Sequence, residues 1–105
     1  MTPGREIDNY GSRGLRALGL VRAEAVAVTM LRVAAGGEIG RHPAVGDQLF
    51  VVASGRGSVC GGDGEWHPIA AGQAAYWRDG EEHTTRADED LTAVVVEMAT
   101  LPLAV

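Results

Sequence analysis

The stretch that decides the fold reads GGEIGRHPAVGDQLFVVASG and covers residues 36–55. Glycines and a proline interrupt it often, and the same dense spacing of breakers continues to Gly80. The windows between them are too short for helices of ordinary length, but they suit strands joined by tight turns. The pattern therefore predicts strands over residues 48–53, 57–60, 66–69, 73–77, 84–87 and 91–98.

The chain before residue 36 is also strand-like. Residues 15–21 and 26–34 are short aliphatic segments, and Arg22-Ala23-Glu24 between them suits a hairpin turn. A single helix over residues 15–35 is the alternative, because Ala, Leu and Arg are frequent there. The β-branched residues of the second segment favour strands, as does Gly36-Gly37, which would close it. The whole pattern predicts an all-β sandwich or barrel.

Length and composition limit the organisation and the partners of the chain. Its 105 residues suffice for one domain, and we expect residues 1–14 to form an N-terminal arm before a single domain over 15–105. The nine basic residues are all Arg and face fourteen Asp and Glu, so the net charge of −5 disfavours nucleic-acid and anionic-membrane partners. No signal peptide or membrane-spanning run is evident, which predicts a cytoplasmic protein.

Two histidines lie in glycine-punctuated stretches, His42 in the first and His83 in GQAAYWRDGEEH, residues 72–83. Over roughly residues 26–98 the chain resembles the cupin superfamily, whose two motifs share this spacing of glycines and metal ligands. The resemblance implies a double-stranded β-helix, or jelly-roll barrel. The positions that fall on the motif spacing are Gly36, His42, Gln48, Gly55, Gly72, Gly80 and His83.

Two of the usual ligand positions have changed in this sequence. Ala44 stands where the first cupin motif has a second His, and Gln48 stands where it has a Glu. The resemblance then implies a metal site of His42, Gln48 and His83 for Zn, Ni, Mn or Fe. Imidazole nitrogen and amide oxygen suit such ions, but Gln in place of Glu removes one negative charge and weakens binding. Ala44 would leave a position open for water or substrate.

Side-chain alternation extends the predicted site into a ligand pocket. Residues at even separation share a face of an extended strand, so Ala44 would point as His42 does, and two apolar residues would follow Gln48 inward. One of two adjacent aromatic residues would face the barrel, and one acid next to the second motif's histidine would act as a hydrogen-bond partner or base. The predicted pocket residues are Ala44, Phe50, Val52, Tyr76, Trp77 and Glu81.

Two functions fit this pattern. The first is a small metal-dependent enzyme that catalyses oxidation, isomerisation or lyase chemistry on a small substrate. The second is a metal-free barrel without catalysis that binds a small apolar or aromatic molecule, because Ala44 and Gln48 enlarge and neutralise the pocket. A metal-free barrel could also have a structural or accessory role in an oligomer.

The remaining chemistry-bearing residues receive structural interpretations. We expect His67 to be a surface or hairpin histidine and Cys60 a small buried residue at a strand end. Residues 48–53 and 93–96 are apolar on both faces of their predicted strands, so a second copy of the chain should cover part of the surface. The sequence therefore predicts a homodimer with the first strands or the N-terminal arm at its interface.

Overall fold

The computed structural model describes residues 5–7, 11–22 and 25–101. Nine strands run through these residues and no α-helix occurs among them, so the prediction of an all-β single-domain barrel is confirmed. The strands are β1 Arg5–Ile7, β2 Arg13–Arg22, β3 Ala27–Pro43, β4 Asp47–Ser54, β5 Arg56–Cys60, β6 Trp66–Ala70, β7 Ala74–Trp77, β8 Glu82–Ala87 and β9 Leu91–Met98.

The N-terminal part of the chain joins the sheet through β1 and β2. The two segments predicted as a hairpin are the antiparallel strands β2 and β3, rather than one helix, while residues 23–24 of the predicted turn lie outside the described residues. Of the predicted arm, 5–7 form β1, which pairs with β2, and 1–4 and 8–10 also lie outside them. Ser12 is buried, and its hydroxyl accepts a hydrogen bond from the Gly40 N–H at 3.0 Å.

Strand β3 is longer than the sequence suggests because Gly36-Gly37 bends it instead of ending it. Residues 27–33 pair with β9, and residues 38–43 pair with β8, so one strand takes part in both halves of the barrel. Gly36 has φ +77°, and a Cβ at Gly37 would lie 2.7 Å from the carbonyl oxygens of Ala34 and Arg13. Only glycine allows this close approach at the bend.

All the strand pairs are antiparallel, and the main path through the sheet is β6-β5-β8-β3-β9-β4-β7. Alternation along β4 and β9 sorts the inward side chains into layers. Three cross-strand pairs face the interior, Gln48 with Glu97, Phe50 with Val95 and Val52 with Ala93. The polar pair lies at one end of the barrel, and the fully packed core lies at the other, beyond Phe50.

The opposite face of the same strands is apolar and only half-buried. Val94 lies between Met30 and Val51 of the neighbouring strands, and Val96 lies between Val28 and Leu49. We call the half-buried side chains of Val28, Met30, Leu49, Val51, Val94 and Val96 the outer apolar face.

Candidate functional site

A cavity of about 190 Å³ opens at the polar end of the barrel. That volume holds about six water molecules at roughly 30 Å³ each, so it suits a small molecule rather than a polymer. Its lining combines imidazole, amide, carboxylate and hydroxyl groups with an apolar wall. The lining residues are Ser12, Leu15, Thr29, Leu31, Ile39, His42, Gln48, Phe50, His83, Thr85, Val95 and Glu97.

Neighbouring strands bring the two motif histidines together. His42 of β3 is the register partner of His83 of β8, and their ring centroids are 4.4 Å apart at an interplanar angle of 60°. The pairing of β3 with β8 thus brings two residues far apart in the sequence into contact. Gln48 lines the same cavity from β4, so the structure brings all three predicted metal ligands to one cavity.

Main-chain carbonyls fix the orientation of both rings. Nδ1 of His42 lies 2.7 Å from the Gly40 carbonyl oxygen, and Nδ1 of His83 lies 3.1 Å from the Glu81 carbonyl oxygen. A carbonyl only accepts hydrogen bonds, so each Nδ1 is the donor, and the neutral ring carries its lone pair on Nε2. Metal-binding histidines are commonly held in this tautomer by such a bond.

His83 is buried between the cavity and an aromatic side chain. Burial lowers the pKa of His83 to about 4; the hydrogen bond to the Glu81 carbonyl opposes this shift, and nearby His42 adds to it. The indole of Trp77 stacks on the His83 ring with centroids 5.1 Å apart and planes 7° apart. His83 is therefore neutral at pH 7, the protonation state that a metal ligand requires.

The lowered pKa of His83 predicts acid sensitivity of the metal-free protein. In the unfolded chain His83 titrates near its ordinary value of 6.5, so between pH 6.5 and about 4 the unfolded state binds more protons than the folded state. Stability is complete above pH 6.5 and decreases as the pH falls toward 4. We expect the free energy of unfolding to decrease by about 1–2 kcal/mol. This is less than the full pKa shift would give, because the ring borders the cavity and is partly screened by solvent.

Urea unfolding between pH 4 and 7 in the presence of chelator measures this loss. His83→Gln should flatten the pH dependence in that window, and His67→Gln, which changes an exposed ring, should leave it unchanged. Equal slopes for the wild type and His83→Gln would contradict the assignment to His83.

Gln48 adds an oxygen donor to the two imidazoles. Its side chain is 8% exposed and lines the cavity. Two imidazole nitrogens and one amide oxygen form a donor set that suits a divalent transition metal, so the residues present fit such an ion.

The other predicted pocket residues are placed in several ways. Phe50 lines the cavity, while Val52 packs in the core below it. Trp77 is opposite inward-facing Gln48 and stands behind His83, and its buried Nε1 has no partner within residues 11–22 and 25–101. Tyr76 is opposite Leu49 and belongs to the outer surface of the sheet.

Ala44 and Glu81 support the site without lining the cavity. Strand β3 ends at Pro43, so the alternation that would turn Ala44 toward the cavity stops there. The Ala44 N–H donates to the same Glu81 carbonyl that accepts from His83. The Glu81 carboxylate instead accepts hydrogen bonds from the Arg78 and Gly62 N–H groups. The hydrogen-bond partner of His83 is thus the Glu81 main chain and not its side chain.

Sequence reasoning missed Glu97, which lines the cavity beside Gln48. A signal for it exists, because Leu91, Ala93 and Val95 face inward at every second position, and Glu97 continues that phase. It is the only acidic residue among the described residues that line the cavity.

A second group of possible metal ligands lies outside the barrel. Asp63 and Glu65 of the β5–β6 turn and His67 of β6 are all exposed, and their ligand atoms lie within 4.8 Å of one another. His67 Nε2 is 3.8 Å from the Asp63 carboxylate, which agrees with the expected surface position of His67. Cys60 is buried and has no disulfide, as expected for a small residue at a strand end.

Comparison with known proteins connects this architecture to one family. Residues 29–99 match the family model described as "Cupin domain". No curated protein matches the sequence significantly. Separately, no helix among the described residues is long and apolar enough to cross a membrane.

Similar solved structures come from several bacteria. A predicted oxalate decarboxylase from Thermotoga maritima has a TM-score of 0.82 at 24% identity, over 92% of this chain and 91% of that one. The polyketide cyclase RemF from Streptomyces resistomycificus has a TM-score of 0.78 at 18% identity, over 92% of this chain and 73% of that one. A conserved protein of unknown function from Streptococcus pyogenes has a TM-score of 0.73 at 28% identity, over 86% of this chain and 76% of that one. These similarities show a shared fold.

Proposed function

Because this chain belongs to the cupin superfamily, we propose that His42, Gln48 and His83 bind a divalent transition metal ion in its barrel, next to a small-molecule ligand. The observation that carries the proposal is the pair of contacting imidazoles, each held by a main-chain carbonyl so that Nε2 is the acceptor nitrogen. Zn, Ni, Mn and Fe all accept this donor set.

Catalysis on a small substrate is the function that this site supports best. A bound ion would supply Lewis acidity that polarises an oxygen of the substrate. The apolar wall of Leu31, Phe50 and Val95 would exclude water from the other end of the substrate. Reactions of the oxidoreductase, isomerase or lyase type fit such a site, and solved structures described as a predicted oxalate decarboxylase and a polyketide cyclase share the fold.

A metal-free binding function is the second candidate, and the neutral Gln48 in place of an acid favours it. In that case the cavity would hold a small, mostly apolar molecule whose polar end meets the histidines. The two functions respond differently to added ligands. A metal-dependent site predicts a higher melting temperature with metal ions, whereas a metal-free site predicts stabilisation by organic ligands alone.

Fluorescence of Trp77 tests metal binding directly. The chain has two Trp residues, and Trp66→Phe leaves Trp77, which stacks on His83, as the only indole. We expect titration with paramagnetic Ni²⁺ to quench Trp77 with one ion per chain. His67→Ala should leave the quenching unchanged, because it alters only the exposed Asp63, Glu65 and His67 group. The metal function would be excluded if Ni²⁺ did not quench the fluorescence of Trp77 and if the protein bound none of Zn, Ni, Mn and Fe.

We also propose that the protein is a homodimer that buries the outer apolar face. Half-buried aliphatic side chains cover the centre of this face, and exposed Leu20 of β2 borders it. Their burial against a second copy would remove apolar surface from water. Sedimentation equilibrium at micromolar concentration should give about twice the 11.0 kDa of one chain, and Val94→Arg should shift the protein toward monomer. A monomeric wild type would contradict the proposal.

A further inference from the structure

A carboxylate stands at the same end of the cavity as the candidate metal ligands. Glu97 of β9 is the register partner of Gln48 of β4, and both side chains line the cavity. Residues directly opposite on antiparallel strands have Cβ atoms about 4.5–5.5 Å apart. The Glu97 side chain is therefore a neighbour of the Gln48 amide in the polar layer of the barrel.

The negative charge of Glu97 matters because the candidate metal ligands carry none. When His42, Gln48 and His83 ligate an ion, all three are neutral, so a bound dication keeps its full charge in a cavity with an apolar wall of Leu31, Phe50 and Val95. Such an uncompensated charge is costly beside apolar side chains, and a nearby carboxylate lowers the cost. Among the described residues around the cavity, Glu97 alone carries a carboxylate.

We propose that Glu97 supplies the negative charge that stabilises a metal ion held by the two histidines and Gln48. The inference rests on the proposed metal function. The assigned role is charge compensation across the cavity and not membership of the ligand set. Among the described residues, only Asp63, Glu65 and His67 form a group of three acidic, His or Cys ligand atoms within 4.8 Å, and Glu97 forms none with the two cavity histidines.

Moving the carboxylate between opposite positions of β4 and β9 tests the inference. The affinity for Zn²⁺ is measured calorimetrically in four proteins, all carrying His67→Ala so that the exposed hairpin group does not contribute. These are the parent, Glu97→Gln, the swap Gln48→Glu with Glu97→Gln, and Glu89→Gln. Glu89 is exposed and pairs with Arg56, so its substitution matches the change in net charge outside the cavity.

We expect Glu97→Gln to weaken Zn²⁺ binding by about tenfold or more, as the loss of one unit charge near a dication requires. The swap should restore the affinity to at least that of the parent, and Glu89→Gln should stay within about twofold of it. Rescue by the swap excludes misfolding as the cause, because residue 97 is Gln in both variants.

The failures separate the two proposals. If the parent binds no Zn²⁺ in the cavity, the proposed metal function is wrong and this inference is wrong with it. If the parent binds Zn²⁺ and Glu97→Gln binds it equally well, only the inference is wrong. Weakened binding that the swap does not restore would also overturn it, because the effect would then come from the structure around position 97 and not from the charge.

Discussion

Replacing His83 with alanine is expected to reduce the affinity of the protein for Zn²⁺ by more than about a hundredfold, because loss of an outer-shell partner alone commonly costs 10–100-fold. The same result is expected for His42→Ala. Each substitution removes one of only two imidazoles in the cavity and leaves a site with one nitrogen donor. Gln48 alone does not compensate, since a neutral amide oxygen is a weaker donor to a transition metal than imidazole.

Calorimetric titration of Zn²⁺ into chelator-treated protein measures this effect, and His67→Ala is the matched control. His67 is also a histidine, but it lies on the surface with Asp63 and Glu65. If His67→Ala reduced Zn²⁺ binding and the two cavity variants did not, the metal site would be at the hairpin and not in the barrel. Wild-type affinity in either cavity variant would contradict the proposed ligand set.

The substitution Gly57→Ala should destabilise the fold by about 4 kcal/mol or more, the range reached only when packing or backbone geometry is broken. Gly57 lies in β5 between β6 and β8, and a Cβ there would be 2.0 Å from the Arg86 carbonyl oxygen. The Arg86 carbonyl oxygen belongs to a paired strand, so it cannot move away without breaking the hydrogen bonds between β5 and β8. Domains of this kind are stable by only about 5–15 kcal/mol, so much of the stability would be lost.

Urea denaturation of Gly57→Ala against Gly19→Ala separates this contact from the general effect of replacing a strand glycine. Gly19 lies in β2, and a Cβ there would meet no atom of the described residues within 4 Å. We therefore expect Gly19→Ala to change stability by no more than about 0.5 kcal/mol, as for other surface substitutions. Similar stabilities for the two variants would show that β5 can separate from β8 at little cost.

Much of the fold follows from local sequence, because glycines limit where helices can form and strand windows remain between them. The strands β4 to β9 fall where the breakers predict them. The course of β3 is different, since Gly36-Gly37 can either end a strand or bend it. The choice depends on the β8 and β9 partners of β3, which are remote in sequence. Local patterns do not carry that information.

The candidate site divides in the same way. Motif spacing predicts His42, Gln48 and His83 as one group, and the structure brings them to one cavity. Ala44 is displaced from the cavity because β3 ends one residue before it. Glu97 was not predicted because its position opposite Gln48 depends on the register between β4 and β9. Alternation along one strand predicts which way each side chain faces. The residue opposite it on the neighbouring strand is known only from the strand pairing.

The carbonyls of Gly40 and Glu81 that hold the two imidazoles have a consequence for how the site tolerates mutation. A carbonyl oxygen is present whatever side chain its residue carries, so no substitution removes it unless the main chain itself moves. The orientation of the two rings therefore does not depend on the side chains at positions 40 and 81, whereas the residues that line the cavity can change. Directed evolution should thus be able to exchange residues such as Leu31, Phe50 and Thr85 for new specificities while the imidazole pair keeps its pose.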